Sequence, residues 1–298
     1  MFEGSGLFRA SSASEAKDVV TKLLESKDVV EREVHRGQRI IWEGHTYTHR
    51  AEQILLAVGK IDDVGERSSL TSIIIPTKRP AQIEHIVSQV AGQKGVNFEV
   101  LIGLHGFTLD DWAKRRILEN LESNSGFRRI EFLDIPVHES LGTVLKRLSR
   151  AAQGEYVARF DDDDYYFPNY LRDQVNTLRW SQADIVGKGC TYVYLSNSDL
   201  LIRRRPDFEH HWSELVAGAT LVIRANVLAD IEFEDRKVGE DSSFLRRAVQ
   251  RGYKIYSADR FNYVTVRSSS HTWKISDTDL MAGGQVEGTA LQMSRVIV

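Results

Sequence analysis

Four consecutive aspartates, Asp161–Asp164, are the residues of this sequence most suited to chemistry. Carboxylates this close repel one another, so some would be protonated without a compensating cation. They follow residues 156–160, an apolar run typical of a buried strand. If strand geometry continues, Asp161 and Asp163 share one face and form a seat for a hard divalent cation. The alternative is an exposed acidic turn, but the aromatic residues 165–167 are unusual beside a solvated charge run.

A second acidic pair, Glu240 and Asp241, lies further along the chain. It precedes residues 242–249, whose apolar spacing predicts an amphipathic helix. One interpretation is a helix cap, because the positive end of the helix dipole favours a carboxylate. The other is a general base, because an ionised carboxylate can accept the proton of a substrate hydroxyl. The residue types leave both interpretations open.

His271 follows a predicted strand at residues 263–267 and a polar stretch at residues 268–270. A neutral imidazole at this point could complete a cation site. A single histidine after a strand is more often an ordinary polar contact, and the residue types by themselves favour that interpretation.

The elements that must position these residues alternate between strand and helix. Predicted strands end at Ile75, Gly103, Ile135 and Phe160, and each of the first three is followed by a segment with helical spacing of apolar residues. This order predicts an α/β fold with a mostly parallel central sheet and helices on both faces. Ligands bind beyond the carboxyl ends of the strands in such sheets, so the chemistry is expected just after these four residues.

The first 66 residues have a different pattern. Ser12 and Glu15 form a predicted capping box before a helix, and residues 29–42 and 46–58 predict two more helices. No strand is predicted there. We therefore expect a helical appendage over residues 1–66 and a single α/β domain over residues 67–298.

Composition narrows the class of protein. The chain has 298 residues with 39 Lys+Arg against 42 Asp+Glu, a net charge of −3 that favours neither nucleic acid nor an anionic membrane. Its one cysteine, Cys190, excludes an internal disulfide framework and a cysteine-based zinc site. No apolar run reaches the roughly 18 residues of a membrane span, and the first residues do not resemble a secretory signal. These features predict a cytoplasmic protein.

Three segments together resemble a GT-A family-2 glycosyltransferase. They are residues 72–79, read as Ser-Ile-Ile-Ile-Pro-Thr-x-Arg, then residues 154–164 with their acidic end, and residues 239–245, read as Gly-Glu-Asp-x-x-Phe-Leu. The resemblance covers about residues 70–275. It implies the GT-A fold and transfer of a sugar from a nucleoside diphosphate to an acceptor hydroxyl with inversion.

The resemblance also implies roles for single residues. Asp161 and Asp163 match the Asp-x-Asp element, and Mg²⁺ or Mn²⁺ is the implied cofactor. Asp241 matches the catalytic base, with Glu240 beside it. The implied metal ligands are Asp163, Asp161, Asp164 and His271. The implied nucleotide-binding residues are Pro76, Thr77, Arg79, His105, Lys146, Asp161 and Asp162.

The sequence departs from the family pattern at two places. The second strand ends in His105 where the family usually has aspartates, so base recognition would use this histidine or the backbone. Leu145 and Lys146 stand in place of an expected arginine-asparagine pair, and Lys146 could still offer a cation to phosphates. A uridine diphosphate sugar is the expected donor, and a carbohydrate or another hydroxyl compound the expected acceptor. Trp212 and Thr220 are the predicted acceptor contacts.

Residues 42–55 in the N-terminal segment resemble the closing segment of spore-protein-like GT-B glycosyltransferases. This resemblance implies an adjacent glycosyltransferase domain, and a homo-oligomer is the other expected partner. His45 and His49 would then be structural residues.

Two other functions remain open from the residues. A sugar-phosphate nucleotidyltransferase would also need an acidic metal site, but the glycine-rich phosphate loop expected near the first strand is missing. A non-catalytic module that binds a cation or carbohydrate would explain Asp161–Asp164 and leave Asp241 unexplained.

Overall fold

The structure is a computed structural model that describes residues 8–61, 69–267 and 277–298. Contacts divide the chain into two compact units, residues 1–67 with Val298 and residues 68–297. Within the described ranges, no helix combines the length and the apolar character needed to cross a membrane.

The first unit is helical throughout its regular structure. Its helices are α1 Ala13–Glu25, α2 Lys27–Gly44 and α3 Tyr47–Ala57. The predicted cap of α1 is present, since Ser12 Oγ accepts the Glu15 N–H at 3.1 Å. The Glu15 carboxylate, however, accepts the backbone N–H of Ser11 at 2.7 Å. The predicted helical N-terminal segment is therefore confirmed. In its first capping box, Glu15 accepts from the N–H of Ser11 and not from that of the N-cap residue Ser12.

The second unit contains the strands and the remaining helices. Its strands are β1 Leu70–Thr77, β2 Asn97–His105, β3 Phe127–Ile135, β4 Tyr156–Arg159, β5 Tyr165–Tyr166, β6 Ile185–Gly187, β7 Thr191–Leu195, β8 Leu200–Arg204, β9 His211–Ser213, β10 Val222–Arg224, β11 Ile255–Ser257, β12 Tyr263–Arg267 and β13 Gly284–Thr289. Its helices are α4 Ile83–Ala91, α5 Asp111–Glu122, α6 Leu141–Ala151, α7 Tyr170–Ser181, α8 Ala225–Asp230, α9 Glu240–Gln250, α10 Asp277–Ala282 and α11 Met293–Val296.

The larger sheet has the strand order β3-β2-β1-β4-β10-β6-β11-β9. Strands β3, β2, β1 and β4 are parallel, and β6 is parallel to β11. Two strands interrupt this direction, because β10 is antiparallel to both neighbours and β9 is antiparallel to β11. The predicted α/β fold with a mostly parallel sheet is confirmed.

The core lies on both faces of this sheet. Ile73 and Ile75 of β1 belong to a buried cluster that includes apolar residues of α4, α5 and α7. Ile74 belongs to a second cluster, with residues of α6, α8 and α9. Consecutive residues of one strand thus face opposite helical layers, which explains why β1 is a continuous apolar run.

A second sheet, in the order β13-β8-β7-β12-β5, was not predicted as such. Strand β12 matches the strand predicted at residues 263–267. Its pairing with β5 connects the sheet to the residues that follow the four aspartates, since Tyr263 pairs with Tyr166 and Val264 with Tyr165. The aspartates therefore lie in a turn between a strand of each sheet.

Candidate active site

The four aspartates form a turn between β4 and β5, and their exposure alternates. The side chains of Asp161 and Asp163 are 31% and 17% exposed, whereas that of Asp162 is 8% exposed and Asp164 is buried. The sequence predicted from strand geometry that Asp161 and Asp163 share one face. In the structure a turn, and not a strand, exposes these two carboxylates, while those of Asp162 and Asp164 face inward. The turn Asp161–Asp164 is called the acidic turn below.

Asp162 is bound to the end of β1. Thr77 Oγ1 donates to its Oδ2 at 2.6 Å, and Arg79 Nε donates to the same oxygen at 3.0 Å. Arg79 Nη2 reaches the other oxygen of Asp162 and also lies 2.9 Å from Asp163 Oδ2. The bond to Asp162 is the largest of several causes that raise the pKa of Arg79. The structure thus joins Thr77 and Arg79, at the end of β1, to the acidic turn.

Asp164 faces the interior. Its Oδ1 accepts the Val266 N–H at 3.1 Å, and its Oδ2 accepts the hydroxyl of Tyr263. Burial, followed by the charges of Asp161 and Asp163, raises its pKa well above the ordinary value. Because both oxygens are bound inside the protein, Asp164 fixes the turn to β12 in this structure, and the arrangement does not favour the metal ligation predicted for it.

Asp161 is bound to a buried arginine. Arg159 Nε donates to Asp161 Oδ1 at 3.0 Å, and Arg159 Nη1 donates to Glu240 Oε1 at 3.0 Å. Arg159 is the last residue of β4 and Glu240 the first of α9, so one guanidinium connects two elements. Burial is the largest cause that raises the pKa of both Asp161 and Glu240, and Arg159 opposes it.

Asp241 follows Glu240 on the first turn of α9 and faces a different neighbour. Its Oδ1 accepts the Ser242 N–H at 2.6 Å. A Cβ atom built on Gly218 would lie 2.2 Å from Asp241 Oδ2, so the carboxylate lies directly against this glycine. Asp241 also acts electrostatically on Arg159, together with Asp161 and Glu240. The two acidic segments therefore meet at one site.

A tyrosine connects the acidic turn with the segment beside Asp241. The Asp161 N–H donates to Tyr166 Oη at 2.7 Å, and this hydroxyl donates to the Ala219 carbonyl at 2.8 Å. Ala219 belongs to the 3-10 turn Gly218–Thr220. This turn thus contacts Asp241 through Gly218 and the acidic turn through Tyr166.

The charges of this site fit a bound cation. Arg79 and Arg159 contact this site, which contains six carboxyl groups, those of Asp161–Asp164, Glu240 and Asp241. Raised pKa values at Asp161, Asp164 and Glu240 accompany this excess of carboxylates. In the described residues, no three His, Cys, Asp or Glu side chains converge as a ligand set. Mg²⁺ usually needs only one or two protein carboxylates, and Asp161 and Asp163 have the exposure for that role.

The ends of β1 and β2 lie side by side at the same edge. Thr77 pairs with Leu104, and Pro76 with Gly103, so the predicted nucleotide-binding residues Pro76 and His105 are close to the acidic turn. His105 Nε2 lies 3.2 Å from the Val137 carbonyl and is partly exposed. His271 lies outside the described residues, so its predicted metal ligation remains a prediction.

Three predicted residues lie elsewhere or face inward. Lys146 lies on α6, where its Nζ is 2.7 Å from Glu232 Oε2. Trp212 is 54% exposed on edge strand β9, four strands from β4 and so roughly 19 Å away at the usual strand spacing. Thr220 is fully buried, and its hydroxyl accepts the Lys188 N–H at 2.8 Å. The structure does not bring the side chains of Lys146 and Trp212 to the acidic turn, and the side chain of Thr220 faces the interior.

Sequence reasoning gave Arg159 and Tyr166 no role. A cationic residue inside the apolar stretch 156–160 was a visible signal, because a buried charge needs a partner. Tyr166 offered no comparable signal, since an aromatic residue beside a strand is ordinary core. Its role depends on the position of the 3-10 turn Gly218–Thr220, which follows it by more than fifty residues.

Comparisons with known proteins identify the family of this chain. The family model described as Glycosyl transferase family 2 matches residues 72–225, just over half of the chain. The match contains Asp161–Asp164 and ends before Asp241. A search of curated proteins gave no match.

Two solved structures show a similar fold. One is S. aureus TarS 1-349 in complex with UDP-GlcNAc, at 19% identity and a TM-score of 0.51, covering 71% of this chain and 63% of that one. The other is the mannosyltransferase PcManGT from Pyrobaculum calidifontis in complex with GDP-Man and Mn²⁺, at 16% identity and a TM-score of 0.53, covering 82% and 68%. The present chain therefore aligns with under two thirds of the TarS fragment, and at these identities the similarity concerns the fold.

Proposed function

The chain belongs to glycosyl transferase family 2, and we propose that it moves a sugar from a nucleoside diphosphate to a hydroxyl of a carbohydrate or other acceptor, with inversion at the anomeric carbon. One observation carries this proposal. Arg159 bonds both Asp161 of the acidic turn and Glu240, the neighbour of Asp241, so donor-side and base-side carboxylates share one site.

The donor binds beyond the ends of β1, β2 and β4 in this proposal. Pro76, Thr77 and Arg79 frame the base and ribose, with His105 beside the base, and Asp161 contacts the nucleotide. Asp162 remains a predicted nucleotide contact, although Thr77 and Arg79 bind its oxygens in this structure. The cationic Arg79 lies within reach of Asp162 and Asp163 and can orient them toward a diphosphate. UDP-sugars are the first donors to test, because a structural neighbour was solved with UDP-GlcNAc. GDP-sugars are the second, because another neighbour was solved with GDP-Man.

Asp163 and Asp161 would hold Mg²⁺ or Mn²⁺, and Mn²⁺ is present in the mannosyltransferase neighbour. When bound, the ion supplies positive charge to the leaving diphosphate. Asp163 has to turn from Arg79 toward the cation, because Arg79 Nη2 lies 2.9 Å from its Oδ2. His271 remains the predicted additional ligand.

Asp241 is the general base of this proposal. The Ser242 N–H holds its Oδ1, so Oδ2 is the oxygen that would take the acceptor proton as the hydroxyl attacks the anomeric carbon. Base catalysis of this kind typically contributes about 10²–10⁴-fold to the rate. Trp212 remains a predicted acceptor contact at a distance from this centre, and Lys146 a predicted phosphate contact.

A donor screen tests the proposal. Purified protein is incubated with UDP- and GDP-sugars and Mg²⁺ or Mn²⁺, and released nucleoside diphosphate is measured with and without EDTA. We expect slow, metal-dependent hydrolysis of at least one donor, which EDTA abolishes and Asp241→Asn reduces. If no donor is bound or hydrolysed with either ion, the proposal is wrong.

A further inference from the structure

Arg159 connects the acidic turn with helix α9 from inside the protein. Its side chain is 6% exposed, and that of Glu240 is also 6% exposed. Its Nε and Nη2 lie 3.0 and 3.5 Å from the two oxygens of Asp161, and its Nη1 lies 3.0 Å from Glu240 Oε1. A planar guanidinium presents such donors in a fixed fork, so these bonds fix both carboxylates relative to each other.

This link constrains the rotation of the first turn of α9. Glu240 is the first residue of the helix, and Asp241 follows about 100° further around the axis. Glu240 contacts Arg159, whereas the carboxylate of Asp241 lies against Gly218. The N-cap residue Gly239 has a positive φ of 75° and provides no side-chain cap, so the helix start depends on contacts such as this ion pair.

Electrostatics make the link necessary. The guanidinium of Arg159 is almost fully buried and lies 3.0 Å from a carboxylate oxygen of Asp161 and 3.0 Å from one of Glu240, so these carboxylates balance its charge. Without the guanidinium, the buried carboxylate of Glu240 and the partly exposed carboxylate of Asp161 would have no cation between them, and they would repel each other. That repulsion would separate the acidic turn from α9.

We propose that Arg159 is a positioning residue that aims Asp241 by holding Glu240 and Asp161 together. This inference rests on the proposed function and deepens it. Arg159 acts through the two carboxylates and remains beneath the donor site. Its loss changes the orientation of Asp241 while the carboxylates of Asp162 and Asp163 stay with Arg79.

Arg159→Lys is the decisive variant. Lysine keeps the charge beside Asp161, but its single ammonium cannot reproduce the fork between two carboxylates. We expect kcat to fall by about 10²-fold, the size of effect that a small misplacement of a catalytic group produces. Affinity for UDP or GDP with Mn²⁺ should change little, and amide hydrogen exchange should accelerate in residues 240–244.

Glu240→Ala breaks the same link from the other side and should give the same pattern. The double variant should be no slower than either single variant, because both changes remove one interaction. Arg129→Met is the matched control, since it breaks another arginine–carboxylate pair, with buried Glu99, at the opposite edge of the sheet. It should leave kcat and exchange in residues 240–244 unchanged.

Three results would overturn the inference: wild-type kcat in Arg159→Lys, equal losses of kcat and nucleotide affinity, or unaltered exchange in α9. An additive double variant would overturn it as well. If the unaltered protein transfers no sugar, the proposed function fails, and the exchange measurement still decides whether Arg159 holds α9.

Discussion

At the scale of single residues, Asp241 is held from two directions. The Ser242 N–H binds its Oδ1 at 2.6 Å, and Gly218 packs against its Oδ2 side. A carboxylate so placed has little freedom to rotate, which suits a group that must meet a substrate hydroxyl in one orientation. The same position would also suit a simple helix cap, so a substitution has to separate the two roles.

Asp241→Asn makes that separation, because asparagine retains an oxygen for the Ser242 N–H and loses the ability to accept a substrate proton. We expect kcat to fall by about 10²–10⁴-fold, with nearly unchanged affinity for the nucleoside diphosphate. Steady-state transfer and calorimetric titration measure the two quantities. Asp18→Asn, on the exposed face of α1, is the control. Equal losses of turnover and affinity would contradict the role of base.

Asp163 is the carboxylate best placed to exchange an arginine contact for a cation. We expect Asp163→Ala to weaken the Mn²⁺-dependent binding of nucleoside diphosphate by about tenfold or more, since a lost charge–charge contact of about 1.4 kcal/mol has that effect. Titration of nucleotide with Mn²⁺, and again with EDTA, measures how much the metal increases the affinity for nucleoside diphosphate. The same increase in the variant and in the unaltered protein would show that Asp163 is not a metal ligand.

The sequence was sufficient to locate these residues but not their partners. The order of polar and apolar residues placed Asp161–Asp164 at a strand end, and the exposure of Asp161 and Asp163 agrees with that pattern. The pairings of Asp162 with Arg79 and of Glu240 with Arg159 join residues about eighty positions apart. Local patterns carry no information on such contacts, since these depend on which strands become neighbours.

At the scale of elements, the parallel half of the large sheet followed from its sequence. β1, β2 and β3 span eight or nine residues, and a helix with clear periodicity follows each of them. β10, β6, β11 and β9 span three residues each, too short for a periodic signal. The reversed direction of β10 was therefore unforeseen. It matters for the site, because it brings the preceding turn, Gly218–Thr220, to the edge where Asp241 lies.

Gly218→Ala tests this contact between the turn and α9. A new Cβ would lie 2.2 Å from Asp241 Oδ2 and 2.8 Å from its Cβ, so Asp241 or the turn has to move. We expect kcat to fall by about 10²-fold, while nucleotide affinity is retained. Gly44→Ala is the matched control, because nothing lies within 4 Å of its added Cβ. Wild-type kcat in Gly218→Ala would show that the position of Asp241 does not limit turnover.

Glu99 stabilises the opposite edge of the same sheet. Its carboxylate accepts bonds from Ser72, from Arg129 and from the Gln153 N–H at 2.6 Å, which connects β1, β2, β3 and the start of β4. Burial would raise its pKa, but these bonds outweigh burial and lower it. A carboxyl group whose pKa is lowered on folding stabilises the protein above its unfolded-state pKa, and this stabilisation is lost as the pH falls through the folded-state value.

Glu99→Gln should therefore lower the free energy of unfolding by about 1–3 kcal/mol at pH 7. The difference from the unaltered protein should shrink as the pH falls below about 4.3, the ordinary value for glutamate. Denaturant unfolding at several pH values measures it, and nucleotide binding at pH 7 should be unchanged. A difference that is independent of pH would mean that the charge of Glu99 is not what stabilises this edge.

At the scale of the whole molecule, the two units differ in how much they bury. In the part of the chain that the structure describes, the buried clusters of the sheet unit contain residues of both sheets and of helices α4–α10. Helices α1 and α3 contain no buried residue, and Ile54, Leu55 and Leu56 of α3 are exposed. Capping and periodicity were sufficient to predict the three helices, but they cannot identify what such an apolar surface contacts. An adjacent domain or a second copy of the chain remains the prediction for it.

Removal of residues 1–61 tests whether the sheet unit folds without the helices and whether the helices mediate association. Because the residues from 68 to 297 form a compact unit of their own, we expect the shortened protein to unfold cooperatively with a Tm within about 4 °C of the full chain, a change of about 1 kcal/mol for a unit of this size. Nucleotide binding should be retained.

Light scattering on both proteins measures the oligomeric state. We expect any oligomer of the full chain to be lost on shortening, because exposed apolar side chains such as Leu24 and Ile54 are removed with the helices. A shortened protein that fails to fold would show that the sheet unit depends on the helices, and an oligomer that survives would place the contact between copies outside the helical unit.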